Sequence, residues 1–200
     1  MASVGAAEFF ASLPKEPSRK REDMIVGAVQ KRMHLPTDLR ELRSERGSRS
    51  ATFRVMRDAL AIGVSGDSVR PNVTAEGAQR IADALGLMLP TAKLVELAWE
   101  QGIRISPTTL TPDHKMAWTE RMIDHSRKVD QKLYGTANDR SKVVAANVGK
   151  HWVLSNALLE GTKPRIVEGH FACVNFGWYR SKTKPYRPIQ PPSTGHNSYH

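Results

Sequence analysis

Cysteine is almost missing from this chain: Cys173 is the only one in 200 residues. A single thiol excludes an internal disulfide and an all-cysteine zinc site. Phe171-Ala172-Cys173-Val174 alternates like a strand, so Cys173 is expected as a small buried hydrophobe. A thiol nucleophile would need a base, and no spacing identifies one. No apolar run is long enough to cross a bilayer. Residues 2–13 are mildly apolar but lack a basic leading segment and contain Glu8, so no signal peptide is expected. Gly63-Val64-Ser65-Gly66-Asp67-Ser68 lacks the glycine spacing and the Lys-Ser/Thr pair of a phosphate loop and reads as a turn. There is no Gly-x-Ser-x-Gly elbow and no helix-turn-helix or RNA-recognition signature.

Acidic residues are outnumbered, with a formal charge of +10 and a pI near 10.0. Basic and acidic groups number ten and seven in residues 1–50, five and six in 51–100, nine and five in 101–150, and six and two in 151–200. The excess therefore spares the second quarter. Such a balance favours phosphate-rich or acidic partners. With 40% hydrophobic residues the chain can bury a core, so wholesale disorder is not expected.

The expected fold class is α+β: N-terminal helices and a helix hairpin packed on a small, mostly antiparallel sheet formed largely by the C-terminal half. Residues 1–21 read as a flexible basic arm, 22–183 as a single domain and 184–200 as a proline-rich tail. Ser18 can cap a helix bearing Met24, Ile25, Ala28, Val29 and Met33 on one face. Thr37-Asp38 can start a short second helix through Leu39 and Leu42, with Arg40, Glu41, Arg43, Glu45 and Arg46 as a solvated face. Gly47-Ser48-Arg49-Ser50 is a break, and 52–56 and 59–64 read as short strands. Thr74 and Thr91 cap two helices with apolar faces at Ala78, Ile81, Ala82, Leu85 and at Leu94, Val95, Ala98. Gly86 and Gly102 close them, and the link Leu87-Met88-Leu89-Pro90 looks too apolar to be exposed. Thr111-Pro112 can start a basic amphipathic helix to Leu133, with Arg121, Arg127, Lys128 and Lys132 outside. Strands are expected at 142–146, 151–154 and 166–179.

From residue 166 onward, Phe171, Phe176, Trp178, Tyr179, Tyr186 and Tyr199 are interleaved with Arg180, Lys182, Lys184 and Arg187 against one acid, Glu168. Tryptophan, tyrosine and arginine anchor protein interfaces, and aromatic-basic stretches also stack bases and hold phosphates. The expected contact residues are Arg19, Lys20, Arg21, Arg180, Lys182, Lys184, Tyr186 and Arg187. An acid–base site could draw on His151, His170 or His196 with Asp139 or Glu168. No metal is expected: Asp113-His114 and Asp124-His125 are neighbours that diverge around a helix, and no Glu follows His196. No cofactor is implied.

Residues 73–101, 147–156, Phe176-Gly177-Trp178-Tyr179 and the stretch from Pro188-Ile189-Gln190 to His196 resemble an uncharacterised bacterial and phage protein family, in matching order over roughly 50–200. The resemblance implies a polar centre near the C-terminus and, through it, a hydrolase. The chain departs from the family at Gly149-Lys150-His151, where the family tends to Lys-Lys-Asp, and at Tyr179, where it tends to His. The family also continues beyond the His196 region with Asp-Tyr-Ser-His. These departures imply an incomplete polar centre on a retained scaffold. The resulting expectation is a non-catalytic structural or assembly protein, in concrete form a phage virion component of capsid, neck or tail. It would be made in the cytoplasm, incorporated in a virion, and partnered by other protein subunits. The alternatives are a cell-wall-directed hydrolase using the three histidines, and a nucleic-acid-binding protein whose basic surface meets the polymer.

Overall fold

The computed structural model describes residues 5–105, 115, 117–134, 141–145, 151–155, 166–167, 170–171 and 174–176. In chain order the first elements are α1 (Ala6–Ala11), α2 (Arg19–Gln30), β1 (Leu39–Arg46), β2 (Arg49–Met56), β3 (Ile62–Val64) and β4 (Asp67–Val69). Then come α3 (Ala75–Leu85), α4 (Ala92–Gln101), β5 (Ile103–Arg104), α5 (Thr119–Tyr134) and β6 (Val144–Ala145). The last are β7 (His151–Val153), β8 (Ile166–Val167), β9 (His170–Phe171) and β10 (Val174–Phe176). The fold is α+β, built from helices and two-stranded β-pairs.

From Gly5 onward the N-terminal segment packs against the rest of the protein. Ala6, Phe10 and Leu13 are buried in one cluster with Ile25, Val26 and Val29 of α2, Ile62 of β3, Ile81 of α3 and Met122 of α5. Two backbone-directed bonds tie the next stretch to the start of α5: Thr119 donates through its amide to Lys15 O at 2.9 Å and through Oγ1 to Pro14 O at 2.7 Å. Burial of Phe10, with Ala6 and Leu13, removes apolar area from water and holds residues 5–13 down. The proline-rich tail, 184–200, lies outside the described residues.

Local signals for the helices hold well. Ser18 Oγ accepts from Arg21 N at 3.2 Å, Thr74 Oγ1 from Gly77 N at 3.1 Å and Thr91 Oγ1 from Leu94 N at 3.4 Å. Gly86 ends α3 at φ +65°, the left-handed conformation that glycine adopts without penalty. The hairpin of α3 and α4, however, is not a packing unit. Ile81 belongs to the cluster around α2, whereas Val95 and Trp99 pack with Val153 and Phe176, and Leu97 packs with Leu42 and Val143. The link between them reaches the surface, where Met88 is 69% exposed. Helix α5 buries Thr119, Met122, Ser126, Val129 and Leu133, alternating three and four residues apart as a helical face requires. It ends at Tyr134, as expected before Gly135, but it begins only at Thr119, with Ala117 and Trp118 in a turn ahead of it, so the helix expected from Thr111-Pro112 does not run through 117–118.

The strands depart further from expectation. Residues 39–42 form no helix; they belong to β1, which pairs antiparallel with β2 over eight residues each, from Leu39 opposite Met56 to Arg46 opposite Arg49. Among the described residues the longest strand pair thus lies in the first third of the chain. Strands of the C-terminal half form separate small pairs: β7 with β10, β8 with β9, and β6 in parallel with β5. The single strand expected over 166–179 is instead divided into β8, β9 and β10. Trp152 Nε1 donates to Val73 O at 3.1 Å, which fixes β7 to the entrance of α3. No helix among the described residues is long and apolar enough to cross a membrane.

Candidate functional site

Charge, exposure and rigid support coincide in the β1–β2 hairpin. Its foot is firmly held. Leu42 is buried with Leu97 and Val143, and Val55, Leu94 and Ala98 pack around them. The side-chain amide of Gln101 acts as a short third strand: its Nε2 donates to Arg43 O at 2.6 Å and its Oε1 accepts from Arg43 N at 3.1 Å. On the other strand's end, Arg57 N donates to Asp38 O at 2.7 Å and Arg57 O accepts from Val144 N at 2.6 Å. A free two-stranded hairpin is marginal in water, so these clamps account for its order.

Beyond the Gln101 clamp, every residue from 43 to 54 is exposed except half-buried Ser44. The free part extends roughly 10 Å at the strand rise per residue. Gly47 and Ser48 make the turn, with Gly47 at φ +59°, the position where a tight two-residue loop favours glycine. Side-chain alternation puts Arg46 and Arg49 on the face shared with Leu42 and Phe53, and Arg43 and Arg54 on the opposite face. Arg43 pairs with Glu45 at 2.9 Å. Among the described residues Arg46 and Arg49 have no acidic partner, whereas Arg54 stands opposite Glu41 in the ladder.

A second polar assembly is buried. Arg70 Nη2 and Nε donate to Asp58 Oδ2 at 2.6 and 3.1 Å, and Nη1 lies 3.0 Å from Asp130 Oδ1. The Arg70 amide donates to Ser126 Oγ at 2.7 Å. Burial opposes the Arg70 charge, but the two facing carboxylates outweigh it and hold its pKa above the ordinary arginine value. A guanidinium in that state offers neither a general acid nor a base at neutral pH. The network is a clamp joining the end of β2, β4 and α5.

The expected contact triplet is dispersed by helix geometry. Arg19 is exposed and spans α2 and α3, 2.6 Å from Glu76 and 3.3 Å from Asp23. Lys20 is exposed and borders a shallow groove with Phe9, Met24 and Met33. Arg21 is only 1% exposed; its Nη1 donates to Ala117 O at 2.7 Å, so it is an internal tie and no surface contact. Arg180, Lys182, Lys184, Tyr186 and Arg187 lie outside the described residues, as do His196, Asp139 and Glu168. His170 pairs with Val167 between β9 and β8. His151 is half-buried opposite Phe176, and desolvation pushes its pKa down to about 4.

Set beside known proteins, the chain matches no family model, no curated protein and no solved structure.

Sequence reasoning passed over the ribbon because the Glu- and Arg-rich run from 40 to 46 has good helix propensity. A usable signal was present: Thr52, Phe53 and Val55 read as strand, and Gly47-Ser48, three residues ahead of Thr52, is a tight-turn pair.

Proposed function

We propose that this chain is a non-catalytic structural or assembly protein and that the β1–β2 ribbon is the arm with which it holds a neighbour. The ribbon carries the reading: it is clamped at Leu42, Arg43 and Arg57 and exposed on both faces from there to its turn. A pre-ordered arm loses little conformational freedom on binding, so its contacts translate efficiently into affinity. The resemblance to a bacterial and phage family makes a virion part, in capsid, neck or tail, its concrete form. Arg19, Lys20, Arg180, Lys182, Lys184, Tyr186 and Arg187 remain contact residues in this proposal, and Arg21 leaves the set.

The test is co-expression of the full chain with the products of neighbouring genes, followed by sedimentation of any particles. The expected result is co-sedimentation in a fixed ratio. It should be lost when residues 44–45 and 50–51 are removed, which shortens the ribbon by two residues per strand and keeps its faces in register. Particles that form normally without the protein would overturn the proposal. So would clearing of peptidoglycan by the wild-type chain that disappears in His196→Ala.

A further inference from the structure

Between residues 32 and 92 the chain contains no lysine; every basic side chain there except His34 is arginine. Arg40, Arg43, Arg46, Arg49 and Arg54 all fall on the ribbon, against Glu41 and Glu45. The planar guanidinium fork matches phosphate through paired hydrogen bonds, which a lysine ammonium does not. At the tip Arg46 stands directly opposite Arg49. Like charges facing across strands are destabilising, and an anion seated between them relieves that repulsion. Arg46 and Arg49 share one face of the free part, whereas the opposite face there carries Glu45, already paired with Arg43, so the uncompensated positive charge sits at the tip. Small side chains at Ser44, Ser48, Ser50 and Ala51, together with Gly47, keep the free end thin.

We infer that the tip of the β1–β2 ribbon enters the major groove of double-stranded DNA, with Arg46 and Arg49 on its phosphates. The B-form major groove, about 12 Å wide and about 8.5 Å deep, admits a two-stranded ribbon and matches the free length of roughly 10 Å. The deep, narrow major groove of an RNA duplex does not admit it. The inference rests on the ribbon being a contact arm, and it adds the partner.

Fluorescence anisotropy of the full chain with a DNA duplex of about two helical turns, across a salt titration, tests this. Each phosphate contact adds about 0.9 to the slope of log affinity against log salt. Arg46→Ala/Arg49→Ala is therefore expected to lower the slope by about 2 and to weaken binding at least roughly tenfold at low salt. Lys128→Ala/Lys132→Ala removes the same formal charge from α5 and should cost much less. An RNA duplex of the same sequence should bind at least roughly tenfold more weakly. The inference falls if DNA is not bound, if the α5 pair costs as much as the ribbon pair, or if RNA binds equally well. Co-sedimentation lost on ribbon shortening without DNA binding would sink the DNA inference and leave the assembly proposal standing. DNA binding through the ribbon with particle assembly indifferent to shortening would do the reverse.

Discussion

Arg46 and Arg49 face each other as the closing pair of the β1–β2 turn, and neither has an acidic partner among the described residues. Folding places two positive charges side by side at the least supported point of the ribbon. Arg49→Glu converts the pair into an attractive one and should stabilise the hairpin by about 0.2–1 kcal/mol. Hydrogen exchange of the amides near the turn is the measurement. Slower exchange in the variant is expected, and unchanged or faster exchange would show that the facing arginines cost nothing.

Arg70 bridges Asp58 and Asp130 with its side chain only 7% exposed. Arg70→Met leaves two carboxylates without the charge that compensates their partial burial. Breaking one partner of a buried ion pair costs about 3–5 kcal/mol. Urea unfolding should show a loss of that order. A variant as stable as the wild type would mean that the network is dispensable for folding.

Gly77 sits under the carboxylate of Glu22, and a Cβ there would lie 2.6 Å from Glu22 Cδ and 2.9 Å from Cγ. Glu22 is 4% exposed and accepts from Thr74 N at 2.8 Å and from Thr74 Oγ1 at 2.7 Å, so it cannot swing away freely. In an open helix glycine to alanine gains about 1 kcal/mol. Here Gly77→Ala should destabilise instead. In a Glu22→Ala background the same change should become neutral or favourable, and the double-mutant cycle reads the coupling directly. Stabilisation by Gly77→Ala in the wild-type background would refute the close contact.

His151 has a folded pKa of about 4 against an ordinary 6.5, because burial disfavours its charged form. Between those values the unfolded chain binds the proton and the folded chain does not, so stability falls as pH is lowered through that window. Its contribution is complete above pH 6.5, and the loss by pH 4 amounts to about 3 kcal/mol. Denaturation midpoints at several pH values should slope downward in the wild type, and less in His151→Leu. Equal slopes in the two proteins would place the pH dependence elsewhere.

The helices were legible because their signals are local. Ser18, Thr74 and Thr91 stand at helix starts, and Gly86 at an end, for reasons contained within a few residues. The candidate site was not. Arg40 to Arg46 carry side chains that suit a solvated helix face, and their strand state depends on pairing with β2 and on Gln101, 58 residues away from Arg43. The Arg19-Lys20-Arg21 triplet reads as one basic patch in sequence, yet α2 turns Arg21 inward to the Ala117 carbonyl, 96 residues on.

By itself, then, the sequence determined the α+β class, the positions and caps of α2, α3 and α4, and an overall excess of positive charge. Each follows from propensity, side-chain capping or composition, which act over one or two turns of chain. Only the tertiary structure decided that the N-terminal segment packs down through Phe10, that α3 and α4 part company, and that Arg70 is enclosed by Asp58 and Asp130. It also decided which arginines face outward together. Burial and strand pairing depend on residues far apart in the chain, and no local pattern records which distant partner will be met.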